Sequence, residues 1–132
     1  MKLLLAFVAL TPIHAAESID GSWKIVYTGP AEQRPRMIRD VRLDFKSDGK
    51  KLTGIAHLDN WPGESPISDG TVAGGYFTFT VTGKVASSSG FPKFKFIGSL
   101  EAGQMKLVML WNLAPQQDEH FWEAAMEGKR IP

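Results

Sequence analysis

What most constrains this chain is the rhythm of its connections. After residue 20 the sequence reads as eight short strand-like runs, and the segments between them alternate long and short. The connections Gly29 to Arg36, Asp59 to Pro66, Gly83 to Pro92 and Ala114 to Asp118 are long; those at Ser47 to Lys50, Gly74-Gly75 and Ala102-Gly103 are tight. If the strands run up and down, every long connection falls at one end of the sheet and every tight turn at the other. The expected shape is a cup with a closed base and an elaborated rim, and the rim is where function is to be sought.

The runs themselves carry the period of two that places alternate side chains on opposite faces of a sheet. Trp23, Ile25 and Tyr27 alternate with Lys24, Val26 and Thr28, and Met37, Arg39, Val41, Leu43 and Phe45 alternate with Asp40, Arg42, Asp44 and Lys46. Ser47-Asp48-Gly49-Lys50 reads as a hairpin turn, since Asp-Gly supplies the positive φ that such turns need. Leu52 to Leu58 returns, and Asn60-Trp61-Pro62-Gly63 breaks the chain. Ile67 to Ala73 is a weaker strand with a bulge expected at Asp69-Gly70. Phe77, Phe79 and Val81, then Phe94, Phe96 and Gly98, then Met105, Leu107, Met109 and Trp111 continue the pattern. His120, Trp122, Ala124 and Met126 complete it. Trp122 to Lys129 also has helix-favouring composition, but a strand is expected there, because seven strands would leave an open edge. The fold class is therefore all-β: a single eight-stranded antiparallel up-and-down barrel, with a β-sandwich as the alternative.

Met1 to Ala15 has the layout of a secretory signal peptide: Lys2, then an apolar run Leu3 to Leu10, then Ile13-His14-Ala15 before the cut. Its apolar run is too short for a membrane span, which takes about 20 residues. Removing residues 1–15 leaves 117 of the 132 residues as one barrel domain, 16–132. With Lys2 gone, 14 basic residues face 14 acidic ones. A neutral domain gives no reason to expect nucleic acid or membrane as partner. The expected location is secreted or periplasmic, and the expected state is a monomer. There is no cysteine, so the fold must hold by burial alone, which a chain of this size can do.

Gly21-Ser22-Trp23 resembles the Gly-x-Trp that opens the first strand of lipocalins and related calycin barrels. In that family the tryptophan lies inside the closed base and a basic residue after the last strand crosses it. The resemblance implies that role for Gly21, for Trp23, and for Arg130 or its neighbour Lys129. It extends over the whole layout after residue 15 but rests on three or four motif residues. The chain is shorter than a typical lipocalin and lacks the family's cysteines and C-terminal helix. Lys51-Leu52-Thr53-Gly54 followed by Pro66-Ile67-Ser68-Asp69-Gly70 resembles small secreted bacterial β-domains of unknown function, which implies export and fold but no activity.

Lysines and aspartates mark the outer face. The inward set is then dominated by Phe, Met and aliphatic residues: Trp23, Ile25, Val41, Leu43, Phe45, Leu52, Phe77, Phe79, Val81, Phe94, Phe96, Met105, Leu107 and Met109. So bulky a set should fill the lower two-thirds of a small barrel. Carried to the rim, the inward parity selects Tyr27, Arg39, Trp111 and His120, with Trp61 in a rim loop; Trp122 shares the parity. A guanidinium, an imidazole, a phenol and indoles make apolar walls with a few directed polar groups, and Arg39 could take a carboxylate, phosphate or sulfate in a bidentate fork. The structural alternative is that Arg39 pairs with Asp59 or Glu119, while the indoles form a hydrophobic plug and His120 is hydrogen-bonded and inert.

Other chemistries have weaker support. His57, His120, Asp59, Asp118 and Glu119 lie near the rim, but His57 and His120 have opposite parity, so no metal or other cofactor is expected. No Gly-x-Ser-x-Gly elbow and no glycine-rich phosphate loop occurs. Asp59, Glu64 and Asp69 are more simply solvated loop acids than a glycosidase pair. Three functions of different class remain open. The first is a barrel binding a small acidic or aromatic molecule at its rim, through Tyr27, Arg39, Trp61, Trp111 and His120. The second is an accessory or adhesion module meeting protein or polysaccharide through Trp61, Phe91 and the rim loops. The third is an enzyme of unknown reaction using Arg39, Tyr27 and His120, although no catalytic residue is assigned. The export reading is checked by N-terminal sequencing: the exported protein is expected to begin at Ala16 or Glu17, and an intact Met1 in that fraction would overturn it.

Overall fold

The computed structural model describes residues 18–33, 41–58, 63–83, 93–112 and 122–132. Among them run nine strands: β1 (Gly21–Tyr27), β2 (Val41–Asp48), β3 (Lys51–Leu58), β4 (Ser65–Pro66), β5 (Ser68–Ala73), β6 (Tyr76–Thr82), β7 (Lys93–Glu101), β8 (Gln104–Asn112) and β9 (Trp122–Arg130). A single 3-10 turn, Ala31–Gln33, follows β1. Each long strand pairs antiparallel with its chain neighbour, β9 returns to β1, and β2–β3 closes the circuit. The result is a closed eight-stranded up-and-down barrel, not a pair of stacked sheets. Closure leaves no long edge, so the backbone of β9 is paired on both sides, with β1 and with β8.

The ninth element is the broken start of one wall strand. β4 pairs with the upper half of β3, at Ala56↔Ser65 and Ile55↔Pro66, whereas β5 meets β3 at Lys51↔Thr71. Between them the register against β6 shifts from Ser68 to Thr71, and Asp69 takes a φ of 51°. This is the bulge expected at Asp69-Gly70.

All the tight turns, at 49–50, 74–75 and 102–103, lie at one end of the barrel. That end is sealed by residues 18–20, which fold across it beneath β1. Ile19 is buried among the core residues, and its carbonyl accepts a 2.9 Å hydrogen bond from the Trp23 indole Nε1. Trp23 has no exposed surface. The Arg130 guanidinium lies 4.2 Å from the centre of its ring, while Nη1 donates to the Asp20 carbonyl at 2.9 Å and Nη2 to the Ser18 carbonyl at 3.1 Å. Lys129 stands one position away, exposed and in register with Lys24. Gly21 makes this stacking possible: its φ is +123°, and a Cβ there would sit 3.2 Å from the Arg130 Nη1. Asp20 then ties the seal to the β2–β3 turn, accepting bonds of 2.7 Å from both the amide and the hydroxyl of Ser47.

Above the seal the interior is filled with aromatic rings. Phe79 stacks on Phe96 with centroids 4.7 Å apart and meets Phe45 edge-on at 5.2 Å, and Phe77 stacks beside it at 6.1 Å. Every residue assigned inward from parity, from Trp23 to Met109, is at most 5% exposed. Ile19, Ala56, Leu58, Leu100, Ala124 and Met126, which the inward set left out, are equally buried.

Two substitutions test the seal by urea unfolding. Trp23→Ala is expected to cost about 3–5 kcal/mol, as for a large buried aromatic. Arg130→Ala is expected to cost about 1–2 kcal/mol, from loss of the stack and its hydrogen bonds. An Arg130→Ala protein as stable as the parent would remove the seal from the argument.

Candidate functional site

The opposite end receives the connections 28–40, 59–64, 83–92 and 113–121. Two of the residues assigned to a rim site can be placed there. Tyr27 ends β1 and Trp111 lies near the end of β8; both are half-buried and packed against the core. Trp111 is in register with Phe94 on β7 and with Trp122 on β9. Tyr27 is in register with Met126, and its hydroxyl donates to the Pro30 carbonyl at 2.8 Å, with its ring lying against Gly29. The phenol hydroxyl is therefore engaged by the loop that follows it. Arg39, Trp61 and His120, together with Asp59 and Glu119, lie outside the described residues, as does the side chain of Trp122.

A second cluster sits on the outer wall, over β1, β2 and β3. Asp44 is its hub. Its Oδ1 accepts a 2.5 Å bond from the Ser22 hydroxyl and a longer one, 3.4 Å, from Arg42 Nε; its Oδ2 lies 3.1 Å from His57 Nε2. Glu64 approaches the same imidazole nitrogen at 3.9 Å. Serine, aspartate and histidine occur together here, but in the wrong order for nucleophilic catalysis. The hydroxyl and the imidazole both bind the carboxylate and not each other, so no base is aimed at Ser22. Among the described residues no group of three or more His, Cys, Asp or Glu converges as a metal site. The cluster is a clasp across three strands. Sequence reasoning did not identify it, although its signal was present: Ser22, Asp44 and His57 all have outward parity, and the tight turn at Gly49-Lys50 sets Arg42 opposite His57.

The clasp holds the Asp44 carboxyl below the ordinary aspartate range, chiefly through the Ser22 hydroxyl, against the opposing effect of desolvation, with His57 and Arg42 adding to the lowering. Asp20 is lowered in the same way by the Ser47 hydroxyl and amide.

A third feature is a shallow outer groove of about 420 Å³ across β7, β8 and β9, with Tyr76 at one margin and Thr28 at the other. Its floor includes Ile97 and Val108, which are 44% and 37% exposed.

Comparison of the chain with known family models, curated proteins and solved structures finds no match.

The two lowered carboxyls make a signed prediction. An aspartate that is more acidic folded than unfolded stabilises the fold above its unfolded pKa of about 3.9, and that contribution is lost as pH falls through the folded value. Asp44→Asn is expected to lower the urea midpoint at pH 6 and to flatten its fall between pH 4 and pH 2, with Asp20→Asn acting likewise. An unchanged acid limb in both variants would show that neither carboxylate is coupled to folding.

Proposed function

We propose that this protein is an exported barrel that binds a small acidic or aromatic molecule at its rim. The observation that carries the reading is the asymmetry of the two ends. One end is sealed by Trp23, Arg130 and residues 18–20. The other receives every long connection, above a column of stacked phenylalanines topped by half-buried aromatic residues. With the lower barrel full of side chains, a ligand would be held shallowly, between the inner wall and the rim loops. Tyr27 and Trp111 supply apolar wall, and Trp61 would close the lip. Arg39 and His120 carry the inward parity in sequence and would supply the directed polar contacts, Arg39 as the anion fork.

The pairing of Gly21, Trp23 and Arg130 supports a calycin-like reading of the barrel, in which the end opposite the sealed base is the mouth. Export follows from the signal-peptide layout of residues 1–15, and the functional reading needs no catalytic step.

Native mass spectrometry of the protein recovered from the exported fraction tests the proposal. A co-purifying small acidic or aromatic mass is expected, and its rebinding should quench tryptophan fluorescence. Arg39→Met is expected to weaken a carboxylate ligand at least about tenfold, the cost of losing a charge-assisted bidentate contact, with the thermal midpoint unchanged. If no small mass is carried, and a protein or glycan partner is instead lost on Trp61→Ala, the rim acts as an interaction surface and the small-molecule reading fails.

A further inference from the structure

The outward-facing side chains of β7, β8 and β9 fall into rungs set by the strand register. One rung contains Lys95, Leu110 and Glu123; the next Ile97, Val108 and Ala125; the next Ser99, Lys106 and Glu127. The rungs above and below carry both signs of charge, and the middle one carries none. Ile97 and Val108 are nevertheless exposed, at 44% and 37%, between rungs that each carry one lysine and one glutamate. Apolar residues that lie contiguous across strands and are rimmed by charge are a feature of interaction surfaces.

The arrangement of the charges identifies the partner. On the flanking rungs the lysines lie on β7 and β8, Lys95 and Lys106, and the glutamates on β9, Glu123 and Glu127. The surface is balanced in sign, so it suits neither an anionic membrane nor a partner of one charge. It is complementary to itself. A two-fold axis running along β8 lays each β7 over the partner's β9 while keeping the rungs level. Lys95 then faces the partner's Glu123, and the same pair recurs across the axis. Ile97 faces the partner's Ala125, a large side chain over a small one, and Val108 meets the partner's Val108 on the axis. Ser99 faces the partner's Glu127, a hydroxyl to a carboxylate. Lys106 meets the partner's Lys106 on the axis, with Glu127 of each chain beside the pair to offset the repulsion. The alternative axis, across the strands, would set Glu123 against the partner's Glu127 at two places and no lysine against a glutamate, whereas the axis along β8 gives two Lys95–Glu123 pairs against one like-charge contact. An added β-strand is not an option for this surface, because the barrel is closed and β7, β8 and β9 are paired on both sides.

We propose that this face of the barrel is the isologous interface of a homodimer whose two-fold axis runs along β8. This replaces the monomer expected from the sequence. It rests on the outer wall alone and not on the proposed rim function. The wall is convex, so contact is confined to about three strands per chain, and the association is expected to be weak.

Sedimentation velocity in low salt, on protein purified from cells expressing the full reading frame, reads the dimer directly across about 1 µM to 1 mM. The wild type is expected to double in mass with concentration. Val108→Glu is expected to weaken that at least tenfold, with an unchanged circular dichroism spectrum. Lys95→Glu and Glu123→Lys each place like charges across the axis and are each expected to stay monomeric. Mixed in equal amounts they restore both opposite pairs and should form a heterodimer, and the protein carrying both reversals should dimerise like the wild type. The proposal is overturned by a wild type that stays monomeric throughout, by a dimer indifferent to Val108→Glu, or by single-reversal variants that fail to associate when mixed.

Discussion

The barrel depends on how its base is closed. Trp23 is the largest fully buried side chain among the described residues, and it cannot be buried without a lid. The lid is assembled from both ends of the described barrel. Residues 18–20 cross from the N-terminal side, and Arg130 comes from the end of β9, its guanidinium over the indole and its two terminal nitrogens on the carbonyls of residues 18 and 20. One side chain thus holds the crossing segment through two backbone carbonyls while its guanidinium covers the buried indole. The Trp23↔Arg130 pairing also fixes the register of β1 on β9, which is the seam that turns a sheet into a barrel. The Asp20 bonds to Ser47 then connect this seam to the β2–β3 turn.

Closure determines what the interior can be. Eight strands leave room for side chains and little else, and the wall accommodates its rings by economy of volume nearby. Gly98 shows this best: a Cβ at that position would stand 2.5 Å from the Phe77 ring and 3.0 Å from the Leu107 side chain. An alanine there would displace the aromatic column. With that column in place, ligand chemistry is pushed to the rim and to the outer wall. The outer wall is not uniform. One arc, over β1, β2 and β3, is tied by the Asp44 clasp into a hydrogen-bonded polar surface. The arc over β7, β8 and β9 has a rung with no charge at all. The two arcs differ in what they can bind, because the first has already used its polar groups on itself.

The sequence by itself determined the class of fold, the number of wall strands, which end carries the loops, and the inward faces. A period of two with charge on one side admits only one orientation of each strand, and a one-residue slip of β6 would expose Phe77, Phe79 and Val81 together. The bulge at Asp69-Gly70 was legible for the same reason, since a break in alternation must be absorbed somewhere. The tertiary structure decided what depends on register between strands distant in the chain. Nothing local in the sequence joins Ser22, Asp44 and His57; they meet because three strands are laid side by side at a particular offset. Local pattern likewise does not say that Tyr27 spends its hydroxyl on Pro30, or that Ile19, from a segment with no strand pattern, becomes part of the core. Ile97, Val108 and Ala125 have the same outward parity as their charged neighbours, and only cross-strand pairing aligns them into a single uncharged rung. Alternation along a strand is a one-dimensional property and can be read from the chain. Juxtaposition across strands is set by closure of the barrel, which requires all eight registers at once.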